Sequence, residues 1–114
     1  MRLLVCGGRD YSNASRVGLV LTKIHQKRPI TCVIHGGARG ADKAADLAAR
    51  AMGLPCEVYQ ADWRGHGKKA GPIRNQRMID EGKPDGVLAF PGGRGTTDMV
   101  SRAREAGIKV MEVA

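Results

Sequence analysis

The sequence predicts a single α/β domain spanning residues 1–114: a Rossmann-like, doubly wound parallel sheet of five strands in the order 3-2-1-4-5, with about four helices. Three observations lead there. Short apolar runs without internal alternation have the pattern of strands buried on both faces. These runs alternate with amphipathic stretches along the whole chain, which right-handed crossovers turn into parallel pairing. Finally, three of the runs end in a glycine pair, and glycine fills 16 of 114 positions, about twice its ordinary usage.

Leu3-Leu4-Val5-Cys6 is the first strand, closed by Gly7-Gly8. Ser12 is placed to cap a helix in which Val17, Val20, Leu21 and Ile24 repeat at i, i+3, i+4, i+7, and Pro29 stops it. Ile30 to Ile34 is β-branched and apolar, a second strand ending at Gly36-Gly37. Residues 41–52 form an alanine-rich helix whose small face, Ala44, Ala45, Ala48 and Met52, can lie close on a sheet. Cys56 to Tyr59 is a third, weaker strand. The polar stretch Ala61 to Ala70 reads as the longest loop, and Pro72 then opens a helix that closes near Gly82. Gly86 to Phe90, Thr96 to Ala106 and Lys109 to Val113 complete the alternation as strand, helix and strand.

Composition excludes several classes. No apolar run approaches the roughly 18 residues of a membrane span, so no membrane partner is expected. Met1-Arg2-Leu3-Leu4-Val5 runs directly into polar sequence, unlike a signal peptide. Cys6, Cys32 and Cys56 are odd in number, widely spaced and set in apolar stretches, and His25, His35 and His66 are scattered. Zinc-ligand spacing is absent, so neither metal nor cofactor is expected, and reduced thiols packed in strands fit the cytoplasm.

The glycine loops carry the functional signal. They are Gly7-Gly8-Arg9-Asp10, Gly36-Gly37-Ala38-Arg39-Gly40 and Pro91-Gly92-Gly93-Arg94-Gly95-Thr96-Thr97. In an open parallel sheet, ligands bind outside the carboxyl ends of the strands, at the switch point. Order 3-2-1-4-5 makes the three loops neighbours around one crevice, whereas order 2-1-3-4-5 would wedge the third strand between two of them. Glycine brings backbone N–H groups close to an anion, and helix N-termini after the second and third loops add to the attraction. Arg39 and Arg94 either grip phosphate oxygens or are solvated loop arginines. Asp42 either complements a helix dipole or meets a ribose, and Asp10 shares that ambiguity. Arg74, at an unfavourable dipole position, calls for a ligand or carboxylate partner. Asn75 reads a base edge or faces solvent, and Trp63 stacks on a base or packs over its loop. No GxGxxG follows the first strand and no Walker motif occurs.

These segments, from Gly7-Gly8-Arg9-Asp10 through His35-Gly36-Gly37-Ala38-Arg39-Gly40-Ala41-Asp42 and Ala70-Gly71-Pro72-Ile73-Arg74-Asn75-Gln76-Arg77-Met78 to Phe90-Pro91-Gly92-Gly93-Arg94-Gly95-Thr96, resemble the YspA, cpYpsA-related branch of the SLOG superfamily. The resemblance implies a fold that binds nucleotides or nucleotide-derived ligands, a bacterial or phage source, and a homodimer formed through helices. Phosphoribohydrolases of the wider superfamily carry PGGxGTxxE and an upstream arginine in an RKxxM-like helix. Pro91 to Thr96 matches the first half, and Arg74 and Met78 match the helix, with Asn75 in place of lysine. The glutamate position falls on Met99, which cannot polarise a hydroxyl or activate water. Asp98, one residue earlier, points about 100° away around a helix.

Three functions therefore compete. The first is binding or sensing of a small phosphorylated nucleotide or nucleotide-derived ligand. It draws on the crevice and on Arg9, Arg39, Arg64, Lys68, Lys69, Arg74, Arg77 and Arg94 around it. The second is N-glycosidic hydrolysis of nucleoside monophosphates, with Arg74 and Asp98 as catalytic residues. The third is nucleic-acid binding, suggested by the +8 charge but opposed by the scarcity of aromatics for a stacking platform.

Overall fold

Successive residues of the central strand serve two different cores, which is why its sequence shows no alternation. Leu3 and Val5 enter one cluster, with Val17, Leu21, Val33, Ala45 and Phe90. Leu4 and Cys6 enter the other, with Ile34, Met78, Val87, Met99 and Val100. The computed structural model describes residues 1–114. Its strands are β1 (Arg2–Cys6), β2 (Cys32–His35), β3 (Cys56–Val58), β4 (Gly86–Ala89) and β5 (Lys109–Glu112). They form one parallel sheet in the order β3-β2-β1-β4-β5, as the glycine pairs predict. Register brings Leu3 beside Val33 of β2, and Val5 beside Leu88 of β4.

The helices are α1 (Ala14–Lys27), α2 (Ala41–Ala51), α3 (Trp63–His66), α4 (Ala70–Asp80) and α5 (Arg94–Glu105), with a 3₁₀ turn at Gly67–Lys69. Four are long and α3 is a single turn. α1 and α2 cover the first core, and α4 and α5 cover the second. Ala41, Ala45 and Ala49 of α2 are fully buried, so this helix lies close on the sheet through its small residues. No helix is long and apolar enough to cross a membrane.

Local caps differ from expectation in three places. Asn13, not Ser12, caps α1, its Oδ1 accepting from the Arg16 amide at 3.1 Å. α5 begins at Arg94, with Gly93 at the cap, so Thr96 and Thr97 lie inside its first turn. The stretch 61–70 is wound rather than open, because Asp62 accepts from the Gly65 amide at 2.9 Å and nucleates α3. The three thiols are free and lie in β1, β2 and β3. Burial pushes the Cys6 thiol up to about 12.

Candidate functional site

The three glycine loops meet at the carboxyl end of the sheet and clasp one another. The Gly8 amide donates to the Pro91 carbonyl at 2.9 Å, and the Ala41 amide donates to the Gly8 carbonyl at 3.2 Å. Glycine is required for this approach. Gly40 has φ +78, and a Cβ there would collide with the carbonyls of Gly8 and Arg9, while a Cβ on Gly92 would lie 2.6 Å from the Gly8 nitrogen. Gly93 and Gly95 are different, since nothing lies within 4 Å of the Cβ either would carry. Part of the glycine signal is therefore loop-on-loop packing, and part is open backbone.

The second loop is filled from within. The amides of Gly36 and Ala38 donate to Asp42 Oδ2, at 3.1 and 3.2 Å, and that of Gly37 donates to His35 Nδ1 at 3.0 Å. Because Nδ1 accepts, the ring proton sits on Nε2 and is donated to Asp46 at 2.6 Å. His35, Asp46 and Cys56 bring ligand-type atoms within 4.8 Å of one another. In this arrangement, however, the Nε2 lone pair is taken by a proton, and Arg50 occupies the other Asp46 oxygen. The chemistry is a hydrogen-bonded brace for the loop rather than a ligand set.

The third loop is open. α5 starts at Arg94, so the amides of Arg94, Gly95 and Thr96 have no acceptor in the chain. Thr97 Oγ1 turns back to donate to the Gly93 carbonyl at 3.2 Å. A helix N-terminus with three free donors carries a positive potential that attracts anions.

Behind it lies a polar bridge between α4 and α5. Asn75, 4% exposed, donates through Nδ2 to the Gly95 carbonyl at 3.1 Å and to Asp98 Oδ2 at 3.0 Å. Its Oδ1 accepts from Arg74 Nε at 3.1 Å. Arg74 NH1 continues to the carbonyls of Gly36, at 2.7 Å, and Tyr59, at 3.3 Å. The arginine at an unfavourable helix end thus finds partners in a neighbouring loop. Burial lowers the Arg74 pKa, while nearby Asp42 favours its charge. Asp98 also accepts from Arg102 Nε at 2.8 Å. Burial alone would raise the Asp98 carboxyl, but the Arg102 and Asn75 hydrogen bonds outweigh it and hold the group below its usual value. Burial raises the Asp42 carboxyl, against the pull of the Ala38 and Gly36 amides and the Arg74 charge. Asp42 Oδ1 takes no hydrogen bond from the chain, and no sealed polar atom is left unpaired, so this oxygen opens onto the crevice.

A cavity of about 640 Å³ gathers much of the expected set: Gly7, Gly8, Arg9, Ala38, Asp42, Trp63, Arg74, Asn75, Gly93, Arg94, Gly95, Thr96 and Asp98. Arg9 stacks over the Trp63 ring, 5.3 Å from its centroid. Gly36, Gly37 and Arg39 instead wall a smaller adjoining cavity. Pro91, Gly92 and Thr97 face a separate depression between α5 and β5. Asp10 lies outside these cavities, paired with Arg39 at 3.1 Å on the surface, and Gly40 is occupied in loop packing. Of the eight basic residues, Arg9, Lys68, Arg74 and Arg94 line the main cavity, while Arg77 pairs with Glu81 on the outside of α4. Met99 is 1% exposed and belongs to the core beneath α5.

Sequence reasoning missed Arg102 and the brace of His35 and Asp46. The i, i+4 spacing of Asp98 and Arg102 was the available signal for the first. The second joins β2 to α2 and had no local signature. Asn75 does not face solvent: it is buried, both its Nδ2 protons are used within the chain, and its Oδ1 accepts from Arg74.

The model of the YspA, cpYpsA-related SLOG family matches residues 1–66. The Gene 61 protein of Mycobacterium phage D29 is 41% identical over 118 aligned residues, which cover 96% of this chain and 94% of that protein.

Proposed function

The chain belongs to the YspA, cpYpsA-related SLOG family, and from that membership and the crevice geometry we propose that it binds a small phosphorylated nucleotide or nucleotide-derived ligand. One observation carries this reading. The free amides of Arg94, Gly95 and Thr96 open into a cavity of about 640 Å³ that Arg9, Lys68 and Arg94 also line. A phosphate there meets a helix N-terminus, backbone donors and cations together. Asp42 Oδ1 supplies an acceptor for a sugar hydroxyl, and Trp63 a face for the base. A pocket of this size, lined mainly by polar and charged side chains and by glycine, has room and partners for a nucleotide.

Hydrolysis of the N-glycosidic bond is the second reading, because Asp98 and Arg74 line the same cavity. Two features favour binding over it. Hydrogen bonds from Arg102 and Asn75 hold the Asp98 carboxyl below its usual value, which makes it a weaker base toward water or a ribose hydroxyl. The position of the hydrolase glutamate is occupied by buried Met99.

Titration calorimetry of the whole protein against nucleoside 5′-monophosphates and nucleotide sugars tests the proposal. Binding is expected, with at least a tenfold loss in Gly93→Val, whose new side chain enters open space. Absence of binding by every compound would overturn it. Base release from monophosphates that disappears in both Arg74→Ala and Asp98→Ala would favour hydrolysis instead. A gel shift with a steep salt slope would favour nucleic acid.

A further inference from the structure

The crevice has two chambers. The smaller, of about 360 Å³, is walled by the second glycine loop, Gln60 and Ala61, and it shares Arg9, Ala38, Trp63 and Arg74 with the main cavity. The stacked pair of Arg9 and Trp63 belongs to both and marks the passage between them.

The charge of the two chambers differs. The main one sets Asp42 and Asp98 against its cations. The smaller has Arg9, Arg39 and Arg74 in its wall and no carboxylate. The only acid that reaches any of these three arginines within ion-pair distance is Asp10, on Arg39, and both side chains are exposed, at 93% and 75%. Such a pair is screened and readily exchanged for a better anion. The amides of Gly36, Gly37 and Ala38 are already occupied by Asp42 and His35, so recognition here falls to guanidinium groups. Guanidinium forks grip phosphate oxygens two at a time, as Arg9 and Arg39 can here, while Arg74 has only Nη2 uncommitted. The main chamber lies at the ends of β1 and β4, and the smaller at the ends of β2 and β3. With strands about 4.8 Å apart, the centres of the two chambers stand two strand spacings, roughly 10 Å, from each other.

We propose that the smaller chamber is a second anion subsite, and that the ligand is a nucleotide bearing two separate phosphate groups, of the class of nucleoside 3′,5′-bisphosphates. One phosphate sits on the N-terminus of α5, the other among Arg9, Arg39 and Arg74, and the nucleoside lies against Trp63. The inference rests on the nucleotide reading of the main chamber and adds to it the number and spacing of the charged groups.

The test is calorimetry of the whole protein with the four nucleoside 5′-monophosphates and the four matching 3′,5′-bisphosphates, repeated on Arg39→Ala. For at least one base, the bisphosphate is expected to bind tenfold or more tightly than the monophosphate. In Arg39→Ala that advantage should fall to near unity. The side chain's one hydrogen-bond partner is exposed Asp10, so the variant should fold, which circular dichroism would verify. Equal affinity of the two ligand classes, or an equal loss for both in Arg39→Ala, overturns the second subsite while leaving the nucleotide reading intact. Failure of all eight compounds to bind overturns both.

Discussion

Asn75 hands Asp98 a hydrogen bond of 3.0 Å across the interface of α4 and α5, and the same nitrogen reaches the Gly95 carbonyl at 3.1 Å. The helix that carries Arg74 is thereby tied to the loop that carries the free amides. With Arg74 running on to Gly36 and Tyr59, three separate chain segments are held at one bridge. Asn75 acts through these groups, so it is a positioning residue.

Asn75→Ala is expected to destabilise the fold by about 1–3 kcal/mol, because it takes a donor from the Gly95 carbonyl and from the Asp98 carboxylate and leaves Arg74 Nε without its acceptor. Urea denaturation would measure this. A loss below about 0.5 kcal/mol would show that the bridge is dispensable. Ligand affinity should fall with it.

Met99→Glu restores the glutamate of the phosphoribohydrolase motif, yet it should damage the protein rather than activate it. The site is 1% exposed among Leu4, Val87 and Val100, and an unpaired carboxylate there costs several kcal/mol. A collapsed melting temperature with no base release is expected, whereas Met99→Leu should melt near the parent. A well-folded, hydrolytically active Met99→Glu would mean that position 99 reaches the crevice.

Two glycines should respond in opposite ways. Gly95 lies in the first turn of α5 with open space about it, so Gly95→Ala should stabilise the fold by about 0.5–1 kcal/mol while hindering an anion at the amides. A Cβ on Gly7 would lie 2.5 Å from that of Ala41 and 2.9 Å from that of Phe90, so Gly7→Ala should cost about 1–3 kcal/mol. Thermal melts paired with calorimetry would separate the two effects.

Asp42→Asn should alter the pH dependence of stability. The folded pKa of Asp42 stands above its ordinary 3.8, so the folded chain keeps this proton longer than the unfolded chain does. The stability from this group is fully present below 3.8 and is lost as pH rises through the raised folded value. Asparagine can still accept from the Gly36 and Ala38 amides. The variant is therefore expected to melt higher than the parent at pH 7, with the difference vanishing towards pH 3. A variant that melts lower at pH 7 would reverse the sign.

Strand order was legible because glycine pairs mark the ends of three strands that must be neighbours if their loops are to meet. The main cavity was legible for the same reason, through Gly7, Gly8, Gly93 and Gly95. What escaped was decided by tertiary approach. The amide of Asn75 looks the same in sequence whether it faces water or a second helix. The winding of residues 63–69 was hidden by their polarity, although Asp62, three residues before Gly65, has the spacing of a cap. The difference between the second and third loops was invisible to a glycine count, since it depends on which amides a nearby carboxylate reaches.

That last difference bears on how phosphate loops arise and disappear. In the second loop the chain supplies its own anion, six positions after the first glycine, and the carboxylate of Asp42 takes up two of the loop's amides. One codon thus separates a self-quenched loop from a receptive one. Asp42→Ala would release two amides beside Arg74 and add their donors to the chamber that this loop already walls. Loops alike in their glycines can then differ in function according to whether an acid follows, and a motif that counts glycines alone will group the two together.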